Sequence, residues 1–152
     1  GEKYVNSIDI SSKAIALLER NIEMTERPKA HTSATEDVNK FLKEIPENEY
    51  DLILVDPPAF AKNLRKKHNA VQAYKRINLF ALSKVKEQGI IFTFSCSQVI
   101  DNELFIHTIR SAAIESKREI KLIHFLSQGP DHPVSMYHPE GRYLKGLVMA
   151  VL

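Results

Sequence analysis

Short apolar runs and stretches of helical spacing take turns along this chain. Tyr4-Val5-Asn6-Ser7-Ile8-Asp9-Ile10 reads as a strand ending in an acid. Ser11 or Ser12 then caps a helix whose apolar positions Ala14, Ile15, Leu17, Leu18 and Ile22 recur at helical spacing. After Pro28, residues 29–34 supply a second strand, and Thr35-Glu36-Asp37-Val38 turns into a helix through Leu42. The run Tyr50-Asp51-Leu52-Ile53-Leu54-Val55 is mostly apolar without clean alternation, the pattern of a strand buried on both faces of a parallel sheet. A helix from about Ala70 to Lys86 is expected next, ended by Gly89, and the β-branched and aromatic run from Gly89 to Ser97 makes the following strand. Ile100 to Ser116 carries Leu104, Phe105, Ile109, Ala112 and Ala113 on one helical face, and Lys121 to Ser127 and Tyr143 to Leu152 read as the last two strands. Alternation of this kind predicts an α/β fold around a parallel sheet.

Two strand ends carry groups with chemistry. Asp56 follows the first apolar run, and Pro57-Pro58 forbids further ladder bonding, so the segment through Ala59 and Phe60 stands as a stiff loop above the sheet. Ligands of open α/β sheets bind at such strand ends. Cys96 ends the strand that comes next. If the two strands are neighbours joined by a right-handed crossover, Asp56 and Cys96 face one crevice. A carboxylate and a thiol together suit methylation of pyrimidine carbon 5. That carbon is a poor nucleophile until a thiolate adds to carbon 6, and an acid at ring nitrogen 3 takes up the charge. The plainer readings are a solvated Asp at a turn and a cysteine packed as a small hydrophobe. Serines on both sides of Cys96 argue against full burial. As the chain's single cysteine it excludes an intramolecular disulfide and points to a reducing, intracellular setting.

A strand ending in Asp-Pro-Pro-Ala-Phe resembles the fourth motif of S-adenosylmethionine-dependent methyltransferases that act on nucleobases. With Thr93-Phe94-Ser95-Cys96-Ser97, Asp131-His132-Pro133-Val134 and Tyr143-Leu144-Lys145-Gly146 in this order, nearly the whole chain resembles the catalytic domain of the RlmI-like ribosomal RNA large-subunit cytosine-5 methyltransferases. The resemblance implies a Rossmann-like class I sheet, mostly parallel with an antiparallel C-terminal strand, and S-adenosylmethionine as cofactor. It implies Cys96 as nucleophile with Asp56 beside it, and cofactor contacts from Asp9, Ile10, Asp37, Val38, Asp56 and Pro57. Substrate contacts would come from Pro58, Phe60, Lys62, Ser95 and His132. A second cysteine found near the Asp-Pro-Pro motif in other RNA cytosine-5 methyltransferases is absent, since position 59 is Ala; the base that completes elimination is not identified.

The acids nearer the N-terminus allow two readings each. Asp9 would accept hydrogen bonds from ribose hydroxyls, or serve only as a favourable charge at a helix start. Asp37 would meet the adenine amino group with Val38 beside the ring, or simply cap its helix. The family's first strand and Gly-rich loop are not found among the five glycines, so the chain is expected to be part of a catalytic domain over residues 1–152, with weak cofactor affinity alone. Bare sheet edges would then favour dimerisation or strand exchange.

Charge and composition narrow the partner. The 152 residues are 43% hydrophobic and 26% charged, ordinary for one globular domain, and no run approaches the roughly eighteen apolar residues of a membrane span. A cytoplasmic location is the default expectation. The net charge is only +2, yet Lys62, Arg65, Lys66, Lys67, His68, Lys75 and Arg76 crowd the segment after Asp56. They would hold the phosphates of RNA, ribosomal RNA by resemblance, or form a solvated helix face. His132, in the stiff connection 129–134, is a proton-shuttle candidate or an exposed loop residue. No metal-ligand spacing stands out. Beside the cytosine-5 enzyme stand an exocyclic-amine methyltransferase, with Cys96 as packing, and a non-catalytic RNA-binding module.

Overall fold

A computed structural model describes residues 3–26 and 30–152. The chain forms two compact units, Gly1–Ile45 and Pro46–Leu152. Lys29, at the start of the expected second strand, lies outside the described residues.

In the first unit β1 (Val5–Asp9) pairs in parallel with β2 (His31–Thr35), from Val5 opposite His31 to Asp9 opposite Thr35. Helix α1 (Ser12–Ile22) follows β1 and α2 (Val38–Glu44) follows β2. Ser11 is the cap of α1, accepting the Ala14 N–H at 3.3 Å. Of the apolar positions on α1 only Ile15 is buried, and Leu17 is exposed.

The second unit carries a four-stranded sheet in the order β3-β4-β6-β5, made of β3 (Tyr50–Val55), β4 (Val85–Ser95), β5 (Ile120–Leu126) and β6 (Lys145–Val151). β3 and β4 are parallel neighbours, as the crossover reading requires, connected through α3 (Lys67–Lys84). β6 runs antiparallel between β4 and β5, so the C-terminal strand is the reversed one. Gly146 lets it enter there, because a Cβ would meet the Phe94 ring at 2.7 Å and Leu126 Cβ at 2.9 Å. Helix α4 (Asn102–Ser116) is capped by Asp101, which accepts the Leu104 N–H at 2.8 Å. Tyr74, Ile77, Ala81 and Leu82 of α3 and Phe105, Ile109 and Ala112 of α4 form the centre of the core.

Two expectations are corrected. β3 is not buried on both faces, since Leu52 and Leu54 are 54% and 60% exposed. Leu52 and Leu54 alternate with half-buried Ile53 and buried Val55, so one face of the strand is covered and the other open, which an apolar run does not reveal. Gly89 does not end α3, which stops at Lys84 and passes directly into β4. It sits instead in an irregularity, where the pairing moves from Tyr50 opposite Val85 to Leu52 opposite Ile90. Gln88 there has φ 64°, and a Cβ on Gly89 would lie 2.9 Å from the carbonyl oxygens of both Asp51 and Lys86. The close backbone approach selects glycine.

Candidate functional site

The parallel pairing of Val55 with Thr93 brings the ends of β3 and β4 to the same edge of the sheet. Asp56 and Cys96, each the residue after its strand's end, therefore share one rim. Asp56 is exposed, Pro57 buried and Pro58 exposed, so the double proline anchors one ring and leaves the carboxylate in the open. Cys96 is half-buried between two fully buried serines.

Those serines determine how Cys96 is presented. The Ser97 N–H donates to Ser95 Oγ at 3.3 Å, closing a tight turn around Cys96, and Ser97 Oγ donates to the Ala61 carbonyl at 2.7 Å. That second bond ties the cysteine turn to the loop that begins at Asp56. Phe60, in the same loop, meets the Tyr74 ring edge-on at 4.7 Å between centroids, and Tyr74 packs in the same manner on Phe105 at 5.7 Å. Such pairs contribute roughly 0.5–1.5 kcal/mol beyond their burial.

Two residues of this region were assigned no role from the sequence, although Lys145 stands in the Tyr143-Leu144-Lys145-Gly146 motif. Tyr74 is 0% exposed, and its hydroxyl has no hydrogen-bond partner of good geometry. Burial pushes its phenol up from the ordinary value; the Ser95 hydroxyl and the Phe60 backbone pull the other way, and the nearby Cys96 and Asp56 charges add to the rise. The helical spacing Ala70, Tyr74, Ile77 and Ala81 marked it as core but could not indicate its position beneath the rim. Lys145, at the start of β6, is 8% exposed and donates from Nζ to the carbonyls of Ser97 at 2.7 Å and Tyr143 at 2.6 Å. Burial pushes its ammonium down from the ordinary lysine value, opposed by the charges of Cys96 and Asp101. A lysine leading the otherwise apolar run Gly146 to Leu152 was the available signal.

The remaining candidates are more open. Lys62 is exposed, as are Arg65, Lys66, His68 and Arg76, whereas Lys75 is drawn into an ion pair with Glu115 at 2.6 Å. His132 is exposed, and its Nδ1 lies 3.0 Å from Oδ2 of its neighbour Asp131. A cavity of about 730 Å³ opens beyond the cysteine turn, lined among others by Gln98, Asp101, Phe125, Arg142 and Lys145.

In the first unit Asp9 and Asp37 follow adjacent parallel strands. Asp9 Oδ1 accepts the Ser11 N–H at 2.7 Å, and Asp37 Oδ1 accepts the Lys40 N–H at 3.0 Å as the cap of α2. Asp37 is therefore a helix cap and Asp9 braces the cap residue Ser11, yet each carboxylate has a second oxygen and spare lone pairs. Ile10 is 74% exposed beside Asp9, and Val38 is half-buried next to Asp37. Two acceptors with apolar surface beside them match the chemistry of ribose hydroxyls, an amino group and an adenine ring. By this donor set, S-adenosylmethionine fits the residues present.

Comparison with known proteins agrees with the fold. Residues 1–105 match the family described as conserved hypothetical protein 95. The chain is 37% identical, over its whole length, to the ribosomal RNA large subunit methyltransferase I of Tolumonas auensis, and spans 39% of that protein. A protein of the same name from Shewanella denitrificans is 35% identical over 99% of the chain, with 39% of its own length covered. Among solved structures, one titled as a SAM-dependent methyltransferase from Streptococcus mutans superposes with a TM-score of 0.81 at 19% identity, over 100% of this chain and 39% of the other. At that identity the likeness establishes the fold alone. No helix among the described residues is long and apolar enough to cross a membrane.

Proposed function

Because the chain belongs to the family described as conserved hypothetical protein 95, and resembles the large-subunit methyltransferases throughout, we propose that it is the site-bearing part of an S-adenosylmethionine-dependent RNA methyltransferase acting on carbon 5 of a cytosine in large-subunit ribosomal RNA. The reading rests above all on the parallel β3–β4 pair, which gives Asp56 and Cys96 one rim.

In this mechanism the Cys96 thiolate adds to carbon 6 of the cytosine, and the displaced electron pair raises the nucleophilicity of carbon 5. Asp56 shares a proton at ring nitrogen 3 and so limits the charge on the ring as the adduct forms. The cofactor, when bound, supplies an electrophilic methyl group that carbon 5 takes up. Loss of the carbon-5 proton to a base then re-forms the double bond, and the carbon–sulfur bond breaks to return the Cys96 thiolate. Asp9 and Asp37 would receive the ribose hydroxyls and the adenine amino group, with Ile10 and Val38 against the ring. Asp56 and Pro57 are further proposed cofactor contacts. Pro58, Phe60, Ser95 and His132 are the proposed contacts to the base. Lys62 and its exposed basic neighbours would bind phosphate, where each contact adds affinity that salt removes.

The test is trapping. In the whole natural protein, RNA containing 5-fluorocytosine should give a covalent adduct, because fluorine at carbon 5 blocks the final elimination. Cys96→Ala should abolish the adduct and lower methylation by several orders of magnitude. Undiminished methyl transfer in Cys96→Ala, without an adduct, would remove Cys96 from the mechanism and favour an exocyclic amine as the acceptor.

A further inference from the structure

Two lysines among the described residues are almost fully buried, Lys84 and Lys145, and of these Lys145 is bonded to the cysteine turn yet has no task in the mechanism above. Lys145 is almost fully buried, and no carboxylate lies within ion-pair distance of it among the described residues. An ammonium taken from water without an anionic partner costs several kcal/mol, and folds normally avoid it. Two of its three donors end on carbonyls, one of them belonging to Ser97, the residue directly after Cys96. Neutral donors could hold two carbonyls without that desolvation cost. The positive charge therefore calls for a negative counterpart, and the groups whose charges act on it are Cys96 and Asp101. Asp101, the cap of α4, is among the carboxylates that lie beyond ion-pair distance of the ammonium. Cys96 is half-buried and has no comparable structural employment.

We propose that Lys145 is the positioning residue of the cysteine turn, fixing it through the Ser97 carbonyl and supplying the positive charge against which the Cys96 thiolate forms. The inference rests on the reading of Cys96 as nucleophile. Its geometry has two parts. The Ser97 carbonyl is held by Lys145 and the Ser97 hydroxyl by Ala61, so the turn is fixed from both sides with Cys96 at its apex. Because β6 pairs with β4 from Ser95 opposite Lys145 onward, the ammonium is carried on the strand adjacent to the one bearing the thiol. Rigid backbone pairing thus keeps the charge close while the long side chain supplies the hydrogen bonds.

The test reads thiol reactivity separately from methyl transfer. In the whole natural protein, the rate of Cys96 alkylation by iodoacetamide at neutral pH is followed by mass spectrometry of its peptide; the thiolate forms the sulfur–carbon bond and iodide leaves. Lys145→Gln keeps a donor for the carbonyls and loses the charge. It should slow alkylation at least tenfold and lower kcat with little change in KM for RNA, while Lys145→Arg restores much of the reactivity. Alkylation of a folded Lys145→Gln at the wild-type rate would overturn the proposal. Should that variant not fold, the wild-type protein decides. A ratio of iodoacetate to iodoacetamide rates above that of the same peptide in urea supports a local cation at Cys96, and a ratio equal or lower overturns it. Failure of the cytosine-5 reading would appear elsewhere, as methylation that survives Cys96→Ala, so the two outcomes are distinguishable.

Discussion

Asp9 and Asp37 stand on hydrogen bonds that reach two and three residues along the chain, whereas the Cys96 turn is held by bonds from Ser97 to Ala61 and from Lys145 to Ser97, spanning 36 and 48 residues. The two units differ in the same sense throughout. In the first, only Ile15 and Leu42 are buried among the described residues, and neither completely; in the second, α3 and α4 enclose a core that includes the fully buried Tyr74, Leu82, Phe105 and Ile109. Local devices give acceptors whose orientation survives in a loosely buried setting. Long-range contacts give a rim whose shape depends on the core beneath it. A nucleophile needs the second kind of support, since a misplacement of about 1 Å can cost on the order of 100-fold in rate.

This contrast is open to direct attack. The largest effect is expected from Phe105→Ala, which removes the far support of the Phe60–Tyr74–Phe105 chain and should lower stability by about 3–5 kcal/mol in urea denaturation. A loss below about 1 kcal/mol would mean that the rim does not depend on this core. Next come the two helix caps, where replacement of Asp101 or Asp37 by Ala should each cost about 1 kcal/mol. Hydrogen exchange should separate them: Asp101→Ala accelerates amides across α4 and the strands it covers, while Asp37→Ala acts within α2 and leaves β4 unchanged. Spread of the Asp37→Ala effect into β4 would erase the distinction between local and long-range support. The smallest effect belongs to Tyr74→Phe, which removes a buried hydroxyl without a hydrogen bond of good geometry and should leave the melting temperature unchanged or slightly raised. A marked fall would reveal a partner for that hydroxyl.

The same contrast governs what the sequence disclosed. Ser11 and Asp37 announce their helices by residue type, and the strand ends at Asp56 and Cys96 follow from composition and proline chemistry. The exposure of Leu52 and Leu54 was illegible because it depends on which face of β3 is covered, which no short window contains. Gly89 misled for a related reason. Glycine stops helices and also permits close backbone contact, and only the approach of the Asp51 carbonyl tells the two apart. Tyr74 and Lys145 carry the appearance of a core aromatic and a strand-end lysine; their relation to Cys96 arises from α3 and β6 meeting the rim, a property of topology rather than of spacing.

The irregularity at Gly89 has a practical use. While β3 advances from Tyr50 to Leu52, β4 advances from Val85 to Ile90, so Lys86, Glu87 and Gln88 form an elbow at the end of the sheet away from Cys96. The regular stretch from Ile90 to Ser95 separates the two, at roughly 3.3 Å per residue, by about 20 Å of paired strand. A dye on exposed Glu87 and another on the chain's single thiol would therefore be mounted on one stiff ruler. Drift in their energy transfer would report distortion of the sheet itself, and a constant signal would show that the strand end carrying Cys96 is held rigidly.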